Sequence, residues 1–229
     1  MLIETARLKN NLTEVLNKIE AAKVVENVQL VAVTKYLETE TVKQLLALGQ
    51  SHFGENRWQV AQPKVESLKG QSIVWHFIGR LQSNKAAVVV EHFDLIHSVE
   101  SLSLAKAIDK EAKKRNKIQK ILLQINASGE ASKQGLEVKN DQDFLNFVSS
   151  LAEFESLQIQ GLMTMAPLTE NQTMIRDSFK KTKSLFEKLS DLKQKNLSPS
   201  ILSMGMSDDF ELALHEGANL VRIGRALIK

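Results

Sequence analysis

The sequence predicts a single (β/α)8 barrel with one extra helix at its N-terminus, and three observations carry that prediction. Short apolar runs alternate with stretches of helical period along the whole chain, eight runs in all. Several of them, QLVAV, KILLQI and LVRI, are apolar at nearly every position, as strands covered on both faces must be. The first run leads into VAVTKYLE, without the glycine-rich turn that an open doubly wound sheet would place there.

The chain begins with MLIETARLKNNLTEVLNKIEAAK, in which an apolar residue recurs every three or four positions with charges between. This is an amphipathic helix over residues 3–23 and not the unbroken apolar run of a signal peptide. The strands are expected at residues 28–34, 52–54, 73–78, 93–98, 120–126, 157–164, 201–204 and 220–223, with helical stretches between. Eight such units suit a closed barrel of parallel strands. Only residues 225–229 follow the eighth strand, so the helix that would close the barrel is missing or rudimentary, and the leading helix can take its place. The longest irregular stretch, 127–140, follows the fifth strand and is long enough for a functional loop.

A chain of 229 residues, 43% of them apolar, can bury one sizeable core, which is expected as one domain over residues 1–229. The net charge of +3 comes from cations mixed among acids, so no basic block points to nucleic acid. Cysteine is absent, which excludes disulfides, thiolate metal sites and thiol nucleophiles and fits a cytoplasmic setting. No segment reads as a membrane span.

Barrel sites lie at the C-terminal ends of the strands. There the sequence places Thr34 and Lys35, Glu55 and Asn56, Gly79 and Arg80, Met163 and Thr164, the segment Ser203 to Ser207, and finally Arg222, Gly224 and Arg225. Lys35 follows VAVT directly, so a buried strand would carry its amine into the barrel mouth, and a desolvated lysine can act as a Schiff-base nucleophile. Ser207, Asp208 and Asp209 read as the cap and first turn of a helix, whose N-terminus can receive a phosphate. Gly224 lets backbone approach a ligand closely, and loops after strands seven and eight hold phosphates in many barrels.

Taken singly, these are a solvated lysine, turn glycines and a helix cap; together, a lysine opposite a phosphate cradle suggests pyridoxal 5′-phosphate. A barrel that binds a phosphorylated sugar or aldehyde and uses Lys35 as an aldolase-like lysine is the alternative from another class. His52, His76, His92 and His97 show no ligand spacing, His76 reads as a packed core or rim residue, and no metal site is expected. Trp58 and Trp75 read as packing residues.

The segments VAVTK, HFGENRWQ, WHFIGRLQSNK, HSVES, LLQINASGEASKQG, GLMTMAP, SMGMSDDFELAL and VRIGRAL, in that order, resemble the pyridoxal phosphate homeostasis proteins almost end to end. The resemblance implies a barrel like the N-terminal domain of alanine racemases, with Lys35 holding pyridoxal phosphate as a Schiff base. It further implies that Arg222 faces the pyridine nitrogen, that Ser203 with the backbone of Gly224 and Arg225 holds the phosphate, and that Asn56 sits near the phenolic oxygen. The chain departs from the family at Arg225, where a small hydroxyl residue is frequent, and at YLE after the lysine, where a proline-containing turn is usual.

An arginine against the pyridine nitrogen disfavours a second positive charge there, which weakens the cofactor as an electron sink. Racemization also needs an acid/base group on the face opposite the lysine, and Tyr36, the chain's only tyrosine, follows Lys35 directly. The expectation is a non-catalytic carrier or regulator in intracellular cofactor homeostasis, with a weak amino-acid racemase as the alternative. Pyridoxal-phosphate-dependent apoenzymes are the expected recipients, and a monomer the expected state. Lys133, in the loop after strand five, is considered as a secondary amine for cofactor in transit, against the plainer reading of an exposed loop lysine.

Overall fold

In the computed structural model, which describes residues 3–130 and 134–229, eight parallel strands close into a barrel in chain order. They are β1 (Gln29–Val33), β2 (His52–Glu55), β3 (Val74–Phe77), β4 (Leu95–Val99), β5 (Gln119–Ile125), β6 (Leu157–Thr164), β7 (Leu197–Ser203) and β8 (Leu220–Ile223). Closure comes from β1, which pairs with β2 on one side and with β8 on the other. The intervening helices are α1 (Thr5–Ala22), α2 (Thr39–Ala47), α3 (Trp58–Ser67), α4 (Ala86–His92), α5 (Leu102–Lys114), α6 (Asp141–Ser150), α7 (Gln172–Asp191), α8 (Phe210–His215) and α9 (Arg225–Ile228), with a 3₁₀ turn at Ser83–Lys85 before α4.

Every strand expected from the sequence is present. The largest difference in bounds is at β7, which starts at Leu197 and not at residue 201. Its first half alternates between half-buried and exposed positions and includes Pro199, so no apolar run marks it. The fourth strand starts at Leu95, because Phe93 has already left α4 to pack edge-on against Phe77.

The leading helix covers the face of the barrel that the single turn of α9 covers only in part. Leu8, Leu12, Val15, Ile19 and Ala22 form its buried stripe at helical spacing, and the helix packs against α8 and α9. Because α9 is a single turn, its C-terminal carbonyls need donors from elsewhere. Asn11 Nδ2 supplies them to Leu227 O and Lys229 O, at 3.1 and 2.9 Å, and Arg7 Nε donates to Lys229 O at 2.9 Å.

Side-chain alternation along the strands separates two interiors. Trp75, Phe77, Ile96, Leu202, Val221 and Ile223 belong to the large core between strands and helices. Their neighbours His76, His97, Ser203 and Arg222 therefore turn into the barrel, where Leu95, Leu122 and Met163, with Ile201 packed against them, form a small apolar cluster. Polar and titratable side chains thus share the lumen with apolar ones beneath the site.

One glycine is required by backbone contact within the sheet. Gly161 lies where the register of β6 shifts against both neighbours, its φ is +143°, and a Cβ there would meet Ile201 O at 1.9 Å. The loop after β5 is anchored at both ends: Asn126 bonds Ser128, Gly129 and Glu130, and Gly135 N donates to Glu100 Oε2 at 2.7 Å as Leu136 returns beside Ile125. Lys133 lies outside the described residues.

Candidate cofactor-binding site

At the C-terminal mouth of the barrel lies a cavity of about 430 Å³ lined by residues from seven of the eight strand ends. Lys35 enters from the turn after β1, Asn56 from β2, Gly79 and Arg80 from β3, Gln124 from β5, Met165 from β6, Ser207 from the loop after β7, and Arg222, Gly224 and Arg225 from β8. Five of the six site residues expected from the sequence therefore meet around one space. Ser203 does not.

Lys35 is half-buried, in the turn just past β1, with its Nζ 4.9 Å from the centre of the Tyr36 ring. The turn is held from below by a buried cluster. Thr34 Oγ1 donates to Glu55 Oε1 at 2.6 Å, and Lys64 Nζ, reaching in from α3, donates to Glu55 Oε1 and Thr34 O, each at 2.6 Å. Lys64 and Glu55 are 3% and 0% exposed, so this ion pair is held out of water and clamps the end of β1 to β2 and α3.

Opposite Lys35, Arg222 is buried, and both terminal nitrogens of its guanidinium donate on the barrel side. It donates to Ser203 Oγ at 2.5 Å, to Ser203 O at 2.9 Å and to Thr164 O at 2.9 Å. Burial lowers its pKa from the ordinary arginine value to about 10, with Asp209 opposing that shift, so it remains a cation at neutral pH. Ser203 is fully buried between Arg222 and His97, and its hydroxyl faces the lumen instead of the cavity. The strand's alternation explains the difference: Ser203 points to the barrel axis, and the chain must leave β7 before a serine can reach the mouth.

That serine is Ser207, whose Oγ lies 3.4 Å from the amide of Gly224 and 3.3 Å from that of Ala226, and accepts from both. Ser207 was expected to cap a helix; α8 begins instead at Phe210, with Asp209 before it accepting from Met206 N. Ser207 is left free to join the β7 and β8 loops. Arg225 turns its guanidinium to Asp208 in an exposed ion pair. Close backbone approach is built in at Gly79, where a Cβ would lie 2.2 Å from Asn56 O and 2.7 Å from Asn56 Cα.

Two features escaped sequence reasoning. The Glu55–Lys64 pair joins a strand end to a helix nine residues on, and nothing in that spacing marks it. His52, His76 and His97 hydrogen-bond to one another inside the barrel, although no ligand spacing relates them. The available signal was one histidine on each of three consecutive strands.

Comparison with known proteins identifies the family of the chain. The family model described as "Alanine racemase, N-terminal domain" matches residues 3–229. The pyridoxal phosphate homeostasis protein of Aquifex aeolicus is 38% identical over 199 residues, 87% of this chain and 85% of the relative. That of Helicobacter pylori strain J99 is 37% identical over 227 residues, 96% of this chain and 98% of the relative. The structure of PipY from Synechococcus elongatus with PLP bound superposes with a TM-score of 0.84 at 34% identity, covering 97% of this chain and 100% of PipY. An alanine racemase from Clostridium difficile shares the barrel alone, with a TM-score of 0.77 at 16% identity over 56% of its own length. By fold and by sequence along its length, this chain belongs to the alanine racemase N-terminal domain family, among the pyridoxal phosphate homeostasis proteins.

Proposed function

We propose that the chain binds pyridoxal 5′-phosphate covalently at Lys35 and acts in cofactor homeostasis as a carrier or regulator without turnover of its own. The observation that carries this reading is that Lys35, Arg222 and the Ser207 loop face one cavity of about 430 Å³, which unites an amine, a fixed cation and a hydroxyl with backbone amides. The family relatives' names and the PLP bound to PipY support it.

When bound, the cofactor supplies an aldehyde carbon that condenses with a primary amine and releases water. The protein's own residues do the rest. Lys35 offers that amine from a turn fixed by the Thr34–Glu55–Lys64 cluster beneath it. Arg222 would hold its positive charge towards the ring nitrogen of the bound cofactor, which would disfavour protonation there and make the ring a poorer electron sink. Asn56 lines the cavity on the β2 side, where it would stand near the phenolic oxygen of the bound cofactor. Ser207, whose Oγ accepts from the Gly224 amide, would offer its hydroxyl to the phosphate beside the backbone of Gly224 and Arg225, and Ser203 would act indirectly by fixing Arg222. The Arg225 charge is already matched by Asp208, so its share is through the backbone.

The racemase alternative finds no support in Tyr36, which is 72% exposed and adjoins Lys35 in the chain instead of facing it across the cavity as a second acid/base group would. A cysteine-free chain fits a cytoplasmic place, and among the described residues no helix is long and apolar enough to cross a membrane. Hand-over to apoenzymes by a monomer formed as one unit over residues 1–229 completes the proposal.

The test is an absorption spectrum of purified protein, then borohydride reduction and peptide mapping of wild type and Lys35→Ala. A yellow protein trapped as a phosphopyridoxyl adduct on Lys35 is expected. A protein that stays colourless and unmodified with pyridoxal phosphate overturns the reading in favour of an aldolase-like barrel. Sustained racemization by wild type, abolished in Lys35→Ala, overturns the carrier role.

A further inference from the structure

Five side chains from five strands cross the barrel in one hydrogen-bonded line. Arg222 on β8 reaches Ser203 Oγ on β7 at 2.5 Å. Ser203 Oγ lies 3.1 Å from His97 Nδ1 on β4, His97 Nε2 lies 2.9 Å from His76 Nδ1 on β3, and His76 Nε2 lies 2.9 Å from His52 Nδ1 on β2. Arg222 lines the cofactor cavity. His52, at the other end, is half-buried and lines a separate cavity of about 530 Å³ at the N-terminal face of the barrel, together with Asp94, Lys120 and Asn219.

The arginine sets the direction of every bond in this line. A guanidinium has donors and no acceptor, so Ser203 Oγ accepts from it and turns its own proton to His97 Nδ1. That nitrogen must then be unprotonated. Burial, reinforced by neighbouring positive charge, holds His97 well below the ordinary histidine pKa; burial, with His52 beside it, lowers His76 to about 3. Each ring is therefore neutral at pH 7 and carries one proton. His97 keeps its proton on Nε2 and donates to His76 Nδ1, His76 does the same to His52 Nδ1, and the Nε2 proton of His52 is left towards the lower cavity. Reversing the order would make Arg222 and His97 both donate to Ser203, leaving the serine proton without an acceptor in the line.

We propose that His97 and His76 are positioning residues for Arg222, and that this line of uniform Nε2–H imidazoles fixes the guanidinium over the cofactor cavity from as far away as His52. The proposal rests on the reading of the upper cavity as the pyridoxal phosphate site. Without the His97 acceptor, Ser203 loses the partner that orients its hydroxyl, and Arg222 shares a rotating group instead of a fixed lone pair. No other histidine takes part: His92 stacks on Trp58 with ring centres 4.3 Å apart, and His215 is exposed at the end of α8.

Nitrogen-15 NMR of histidine-labelled wild type tests the line without any cofactor, with the His92 and His215 signals identified by substitution. Neutral Nε2–H forms are expected for His52, His76 and His97 at pH 7.5; an Nδ1–H form at His76 or His97 overturns the proposal. Because apo protein suffices, a failure here is distinct from a failure to bind pyridoxal phosphate.

The second arm compares cofactor binding and visible spectrum in His97→Asn and His97→Leu. Asparagine can place an oxygen acceptor where Nδ1 stood, whereas leucine cannot. About tenfold weaker binding with a shifted absorption band is expected for His97→Leu, and a change below about threefold for His97→Asn. Wild-type binding and spectrum in His97→Leu, or equal losses in both variants, would reduce His97 to a packing residue and overturn the proposal. Should His97→Leu fail to fold, the NMR result on wild type decides.

Discussion

Lys64 Nζ lies 2.6 Å from Glu55 Oε1, and both groups are sealed from solvent directly beneath the turn that presents Lys35. Glu55 Oε2 has no hydrogen-bond partner, so the carboxylate depends on Lys64 and Thr34 for its compensation. Lys64→Ala would strand that charge in the core. A loss of about 3–5 kcal/mol is expected in chemical denaturation, while the double replacement Glu55→Gln with Lys64→Met should cost clearly less, because no unpaired charge remains. A Lys64→Ala protein as stable as wild type would show that water reaches Glu55.

Gly79 is the position where added bulk acts on the site most directly. A Cβ at residue 79 would lie within 2.8 Å of three backbone atoms of Asn56, none of which can rotate away. Gly79→Ala is expected to cost about 1–3 kcal/mol and to weaken pyridoxal phosphate binding, since Asn56 lines the cavity. Thermal melting and a fluorescence titration check the two effects separately. Unaltered binding would remove Asn56 from the site.

The two serines are expected to fail in different ways. Ser207→Ala removes a hydroxyl from the β7–β8 junction, so affinity for pyridoxal phosphate should fall about tenfold while affinity for pyridoxal, which lacks the phosphate, stays near wild type. Ser203→Ala removes the acceptor beneath Arg222 and should weaken both ligands alike. Parallel titrations with the two ligands distinguish these outcomes, and equal losses in Ser207→Ala would take the phosphate away from that loop.

Acid should destabilise the protein through its interior histidines. Burial, followed by the His52 charge, lowers the His76 pKa from 6.5 to about 3, so between those values the unfolded chain binds a proton that the folded chain refuses. Stability from this group is therefore complete above about pH 6.5 and is lost progressively as pH falls towards 3. His97 and His52, also lowered by burial, act in the same direction. Denaturation midpoints of wild type and His76→Gln should converge, or cross in favour of the variant, as pH falls from 7 to 4. Parallel pH profiles would indicate that His76 is protonated in the fold.

The eight strands were legible because a buried parallel strand must be apolar on both faces, and QLVAV, KILLQI and LVRI are. The early start of β7 was not, since residues 197–200 alternate at the barrel rim and include a proline. Lys35 could be placed from VAVTK alone because it follows its strand without a break, and Arg222, Gly224, Asn56 and Arg225 for the same reason. The family resemblance implies a phosphate role for Ser203, but the period of two residues along β7 turns its side chain into the lumen.

By itself, then, the sequence determined the order of the elements, which faces of them are buried, and the strand end that carries each chemically useful residue, because those follow from local period and chain continuity. Only the tertiary structure decided which side chains meet across the lumen. The stagger of strands in a closed barrel brings residues from β2, β3, β4, β7 and β8 into line, and it joined His52, His76, His97, Ser203 and Arg222 although up to 170 positions separate them in the chain.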